Sequence, residues 1–404
     1  MLNFLKKEIN LSFLINPFYI YCATFSLSIF IYSWGWSSIY PEISYSLIFF
    51  LLCTFSISVI LGRVFSRCQN FSSGKERRFR NHYLLLDIIF YLIIFLGILD
   101  VSLTGYVPFL DRSRNHLEFG FPVLDPIFNS LSIFFSVFFF QTFLESRRKR
   151  YIIYLLIIIV LQLFIFRRST VIWILTASTF LFIRYRKQIR AIVLLSSLLF
   201  IPLISYGFGL YGNVRNDLGK SYIMNELGPS EYFKSSGINS NHYLTYLYLS
   251  SPLANLQNTI NQENGFTNDG ELKDFLFYSI LPQSLTKRIE RPLKLSAPEY
   301  NLIHPHLIVG TFLFLSFSSL GWLGMILMIL YLIIYIITCL VVIRRWDSFS
   351  MTTYSILVTT VALLTFANFL NRLDVMLTLF VYPVVFHYVF RFAGNELSEP
   401  LISK

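Results

Sequence analysis

Ten apolar segments recur along this chain, near residues 13–34, 44–62, 82–102, 126–144, 151–166, 170–184, 190–209, 318–343, 351–370 and 373–390. Most are long enough for a helix to cross a hydrocarbon core of roughly 30 Å. Inside lipid a spanning segment has to satisfy its own backbone hydrogen bonds, which makes the helix the expected element. The composition agrees. With 55% hydrophobic residues, 43 Phe, 25 Tyr and only 14% charged residues in 404, there is more apolar surface than a water-soluble core can absorb. The expected fold class is all-α, a polytopic integral membrane protein of about ten transmembrane helices with one long external loop.

Charge placement orients those spans. If the N-terminus is cytoplasmic, the inside loops hold Lys6, Lys7, the cluster from Arg63 to Arg80, Arg147 to Arg150, Arg184 to Arg190, Arg344, Arg345, Arg391 and Lys404, which is 20 of the 33 basic residues. Both termini are therefore expected in the cytoplasm. This bias accounts for the net charge of +11 without a nucleic-acid partner. Lys6 and Lys7 lead into an apolar stretch without a small-residue cleavage site, which reads as an uncleaved first span. Cys22, Cys53 and Cys339 fall in apolar spans and Cys68 in a basic loop, a pattern that does not form a disulfide framework.

Three divisions follow: a membrane part over 1–209 with spans one to seven, a large external loop over 210–302, and a second membrane part over 303–404 with spans eight to ten. In the loop eight basic residues nearly balance nine acidic ones, so it is no polybasic tail. Tyr243 to Leu256 and Leu272 to Leu281 have the pattern of short amphipathic helices lying on the membrane surface, and Pro252, Pro282, Pro292, Pro298 and Pro305 punctuate them.

Arg167 and Arg168 sit at the tip of a hairpin with short legs. Arg150 and Arg167 bracket 16 residues and Arg168 and Arg184 bracket 15, so each leg covers about 24 Å or less. The tip is expected below the outer surface, in a polar cavity that binds anions, since lipid does not tolerate two guanidinium groups there. The alternative is that both ends snorkel and the pair marks a boundary. Asp87, inside the third span, is expected to face the bundle interior and bond a neighbouring helix.

The chain carries no Gly-rich phosphate loop, HExxH, paired-Cys site or Asp-x-Asp clamp, which disfavours nucleotide and metal dependence. It has instead external arginines and a histidine pair, His304 and His306, just before a span. Arginine binds phosphate bidentately and stays charged, and histidine is the natural proton acceptor for a sugar hydroxyl at neutral pH. Together they suit glycosyl transfer from a lipid-linked diphosphate. Each residue also has a plainer role: Arg215 as an interface anchor or partner of Asp217, the histidines as local caps, and the run Lys287, Arg288, Arg291, Lys294 as a solvated or headgroup-facing surface.

Four stretches carry a family likeness: Gly105-Tyr-Val-Pro-Phe-Leu110 followed by Phe119-Gly-Phe-Pro122, Arg167-Arg-Ser-Thr170, Tyr248-Leu-Ser-Ser-Pro-Leu-Ala-Asn-Leu256, and Gly310-Thr311 through Gly321-Trp-Leu-Gly324. In order and topology the chain resembles the Wzy-type O-antigen polymerases, or oligosaccharide repeat unit polymerases, of the bacterial inner membrane. It is also similar to the related O-antigen ligases, in which an external histidine precedes a Gly-x-x-Gly span start, as His306 precedes Gly321. The resemblance implies a GT-C-like helical glycosyltransferase joining undecaprenyl diphosphate-linked repeat units in the periplasm, without metal, nucleotide or other cofactor, and working with a chain-length regulator. It implies Arg167 or Arg168 with Arg215 as the residues that hold the diphosphate and stabilise the departing charge, and His304 or His306 as the base; Arg291, in the basic run, is a further candidate for the anionic substrate and its diphosphate. The family often has an acidic residue where Ser318 or Ser319 stands; Asp100, Asp111 and Asp217 remain spare candidates. A transporter or flippase would instead call for charges inside several spans and repeat symmetry, and neither is present.

Overall fold

The computed structural model describes residues 8–11, 15–66, 83–111, 119–186, 188–190, 202–213, 226–262, 272–290 and 301–396. In chain order the helices are α1 (Pro17–Tyr32), α2 (Tyr45–Ser66), α3 (Tyr83–Thr104), α4 (Leu124–Ser146), α5 (Lys149–Phe164), α6 (Arg168–Arg186), α7 (202–213), α8 (Glu231–Ser235), α9 (Ser240–Gln262), α10 (Leu272–Phe275), α11 (Gln283–Ile289), α12 (Phe314–Arg345), α13 (Ser350–Ala362), α14 (Leu373–Met376) and α15 (Tyr382–Glu396). Apart from turns and loops, the described residues add a two-stranded antiparallel ribbon, β1 (Glu8–Asn10) with β2 (Gln188–Arg190), in which Glu8 faces Arg190.

Among the described residues, five helical stretches are long and apolar enough to cross a membrane: Tyr45–Ser66, Tyr83–Thr104, Leu124–Ser146, Phe314–Arg345 and Leu373–Phe392. The protein is thus a helical one with membrane-spanning character. Other expected spans are shorter or more polar helices. Sixteen residues in α1 and in α5 cover only about 24 Å. The expected span at 190–209 lies largely outside the described residues. The second leg of the arginine hairpin is longer than its charges imply: α6 has 19 residues, or about 28 Å, because the helix continues through Arg184 to Arg186.

The chain divides into two compact units. One comprises Met1–Val64, Arg186–Ile334 and Thr360–Arg372; the other comprises Phe65–Tyr185, Tyr335–Thr359 and Leu373–Lys404.

In the first unit α9 is the central element. Sequence pattern suggests short pieces interrupted at Pro252, yet one 23-residue helix runs through that proline. Proline removes one intrahelical N–H, and the Pro252 carbonyl receives the N–H of Thr311 at 3.4 Å. Burial on most faces holds the helix regardless: Tyr243, Tyr246, Leu253, Asn255, Leu256 and Gln257 are all enclosed. At one end Trp36, Tyr40, Phe233, Tyr243 and Tyr246 gather ring on ring at 4.9 to 5.9 Å between neighbouring centroids. Burial pushes the Tyr40 phenol well above its ordinary pKa, so it serves as a neutral partner for Ser250 Oγ at 3.0 Å.

The entry to α12 explains the Gly-x-x-Gly motif physically. Gly321 has φ 61° and ψ −142°, which breaks the helix, and a Cβ on Gly324 would come within 1.9 Å of the Ser316 carbonyl oxygen. Only glycine permits that turn and that approach.

In the second unit α4 is the buried axis. Its phenylalanines Phe134, Phe135, Phe138 and Phe139 meet Phe349, Phe386, Phe390 and Tyr151 in tilted, edge-on or stacked pairs. Two of its polar side chains pair within the unit: Ser130 with Tyr382 at 2.6 Å, and Gln141 accepting from Thr352 at 2.7 Å. Asp87 bonds a neighbouring helix, accepting from Arg150 at 2.9 Å and from Tyr154 at 3.1 Å. That pairing offsets the cost of a carboxylate inside a span.

Candidate functional site

The arginine hairpin is closed by backbone geometry before side chains enter. The N–H of Phe166 bonds Leu163 O at 3.1 Å and that of Arg167 bonds Gln162 O at 2.9 Å, with Phe166 at φ 57°. This pattern ends a helix through a left-handed residue, a position that glycine normally fills. Phe166 takes it because its ring is buried and lies 5.9 Å from Phe109.

Just past this turn Arg167 pairs with the Asp125 carboxylate at the start of α4, and its Nη2 lies 3.8 Å from Oδ2 of Asp100 on α3. Its guanidinium sits 5.7 Å from the Phe119 ring. Asp100 is 1% exposed; its other oxygen accepts the N–H of Phe121 at 2.8 Å. The stretch from Phe119 to Asp125 is therefore wrapped onto the pair. Gly120, at φ 114°, leaves no room for a Cβ, which would meet Arg167 Nη2 and Asp125 Cγ at 2.9 Å each. Val123, a β-branched residue, sits nearby at φ 81°. Two non-glycine residues in left-handed conformations beside one ion cluster show that packing over-determines this region.

The charge balance matters for chemistry. One guanidinium faces two carboxylates, so the cluster has an acidic excess, and Arg167 serves as a tie between α3, α4 and the hairpin. Arg168 opens α6 as its first residue and is half-buried. Both guanidinium groups have buried Nη1 atoms.

The histidines belong to the first unit. Residues 301–313 form no regular element but run antiparallel along α9 as a strap. Asn258 Nδ2 donates to Asn301 O at 2.9 Å; Asn255 Oδ1 accepts from Ile303 N at 3.0 Å. Asn255 Nδ2 donates to Leu307 O at 2.5 Å and Val309 O at 2.8 Å. Between these ties the strap turns, with Leu307 N bonding His304 O at 2.9 Å. His306 is exposed and His304 half-buried. Burial, then the neighbouring His306, lowers the His304 pKa below its ordinary value, while Glu226 opposes the shift. His304 Nδ1 accepts the His306 backbone N–H at 3.2 Å, the local bond expected of a histidine in a turn.

No known protein family, curated protein or solved structure matches the chain.

Of the residues singled out in the sequence, Arg167 and Arg168 lie on the hairpin and His304 and His306 on the strap, while Arg215 and Arg291 lie outside the described residues. Sequence reasoning passed over Asn255 and Asp125. Asn255 was visible only as one position of a quoted motif, and Asp125 only as a helix-start carboxylate. Among the described residues no three His, Cys, Asp or Glu side chains gather into a set that could hold a metal ion.

Proposed function

We propose that the chain is a membrane glycosyltransferase that joins undecaprenyl diphosphate-linked oligosaccharide repeat units into an O-antigen or capsule-type polysaccharide. The observation that carries this reading is the histidine strap: an imidazole exposed on a segment that buried hydrogen bonds hold in register, just before a long apolar helix. In the reaction the acceptor hydroxyl oxygen attacks the anomeric carbon of the donor sugar. The carbon–oxygen bond to the diphosphate breaks, undecaprenyl diphosphate leaves with the negative charge, and the hydroxyl proton passes to His306. His306 is favoured over His304 because its side chain is exposed, whereas His304 is half-buried and its protonation is disfavoured.

The resemblance implies Arg168, Arg215 and Arg291 as candidates for the donor diphosphate, each taken by itself, while Arg167 is largely neutralised by Asp125 and Asp100. About ten spans in a GT-C-like arrangement, cytoplasmic termini and a place in the bacterial inner membrane complete the proposal. The pairing of β1 with β2 calls for an even number of crossings among the helices described between them.

Deleting the gene in the host that encodes it and analysing its surface polysaccharide by electrophoresis tests the reading. A single repeat capping lipid A-core, restored to a ladder by the wild-type chain, is the expected result. Uncapped core with accumulated lipid-linked polymer would assign the ligase activity instead.

A further inference from the structure

Among the described residues, Asn255 is the side chain that ties the backbone in the middle of the histidine strap, where Leu307 also packs against the aromatic cluster around Tyr243 and Tyr246. Asn255 is fully buried, and its carboxamide uses both donors and its acceptor on strap backbone: Leu307 O, Val309 O and Ile303 N. These three groups bracket His304 and His306. An amide is the one neutral group of this reach that offers two donors and an acceptor together; aspartate lacks the donors and leucine lacks both. The outer ties, Asn258 to Asn301 and Thr311 to Pro252, lie beyond the bracket at either end. The three Asn255 bonds thus set the hydrogen-bonded register of the two histidines on α9.

We propose that Asn255 is a positioning residue for the proton-accepting histidine. It touches no substrate atom in this account. It fixes the backbone on both sides of His306, so that the imidazole is presented in one orientation rather than sampled from many. The proposal rests on the reading of His306 as the proton acceptor. Holding a catalytic group in place is a large effect: a displacement of about 1 Å can cost about 100-fold in rate.

The test uses the full chain, reconstituted at matched abundance, with turnover of a lipid-linked repeat unit as readout for Asn255→Ala, Asn255→Asp, His306→Ala and the Asn255→Ala/His306→Ala double variant. Asn255→Ala is expected to slow turnover about 100-fold. Asn255→Asp keeps the acceptor for Ile303 N–H but sets a buried carboxylate oxygen against the Leu307 and Val309 carbonyls, and is expected to be at least as slow as Asn255→Ala. The double variant is expected to be no slower than His306→Ala alone, because a residue that acts through His306 has nothing left to act on. In hydrogen exchange, the amides of 303–309 are expected to lose protection in Asn255→Ala while those of 272–289 keep theirs.

A further full loss in the double variant, or loss of protection across the whole unit, would overturn the proposal and leave Asn255 a structural role. Wild-type turnover in Asn255→Ala with a slow His306→Ala would overturn it and leave the site reading standing. Wild-type turnover in His306→Ala would sink the site reading, and the positioning role with it.

Discussion

Nδ1 of His304 accepts the backbone N–H of His306 at 3.2 Å, and the two rings lie 5.4 Å apart. The bond needs an unprotonated Nδ1, which places the proton of the neutral ring on Nε2. Charging the His304 ring would put a proton where a backbone donor already points. The pair is therefore asymmetric: one ring holds the turn and the other is presented.

A pH dependence follows with a definite sign. The folded pKa of His304 lies below the ordinary 6.5, so the unfolded chain binds the proton more readily. Between the two values the unfolded state holds more protons, and stability rises with pH. The stability is complete above about 6.5 and is lost as pH falls toward the folded value. Thermal unfolding of the detergent-purified chain, measured from pH 7 downward, is expected to show this loss and to show less of it in His304→Asn, which keeps an acceptor. Equal slopes in the two proteins would contradict the assignment.

The two hairpin arginines are expected to fail differently. Arg167→Leu strips the partner from Asp100, a carboxylate only 1% exposed, and should cost about 3–5 kcal/mol of stability. Neutralising the partners as well, in Arg167→Leu/Asp100→Asn/Asp125→Asn, should recover a large part of that loss. Arg168→Ala should lower turnover while shifting stability by less. Thermal melting and turnover assays on the same preparations separate the two, and equal melting temperatures for Arg167→Leu and wild type would contradict the ion-cluster account.

Gly120→Ala is expected to disturb the same cluster from the opposite side. The new methyl would strain a backbone at φ 114° and crowd both Arg167 and Asp125, at a cost of about 1–3 kcal/mol. Gly105→Ala, also at positive φ but with open space around it, serves as the comparison and should cost less. Equal melting shifts would remove the cluster from the explanation.

Phe166 allows a test in which glycine and alanine exchange their usual order. Both substitutions remove a buried ring and should each cost several kcal/mol. Glycine accepts φ 57° without the penalty that alanine meets, so Phe166→Gly is expected to be more stable than Phe166→Ala by about 1 kcal/mol. Denaturation of the two variants under one condition decides it, and a more stable alanine variant would contradict the helix-end geometry.

Much of the helical framework was legible in the sequence because apolar runs and charged loops are local signals. The 13–34, 44–62 and 82–102 runs lie close to α1, α2 and α3, and Asp87 inside a span pointed to a bonded carboxylate. What was hidden depends on residues far apart in the chain. Ile303 and Asn255 are 48 positions apart, and nothing in the pattern around either announces their bond. Arg167 looked like a free cation at a short hairpin's tip, because its partners lie on α3 and on the first turn of α4. Pro252 looked like a break, because burial of α9 overrides local propensity.

The central claim is the joining of lipid-linked repeat units. Its most direct test is to reconstitute the purified chain in vesicles with an undecaprenyl diphosphate-linked repeat unit of the host's own glycan and follow both product length and released undecaprenyl diphosphate. The account predicts a ladder of lengthened lipid-linked glycan, with one undecaprenyl diphosphate released for each linkage and both signals lost in His306→Ala. Unchanged donor, with the wild-type chain folded and correctly inserted, would contradict it.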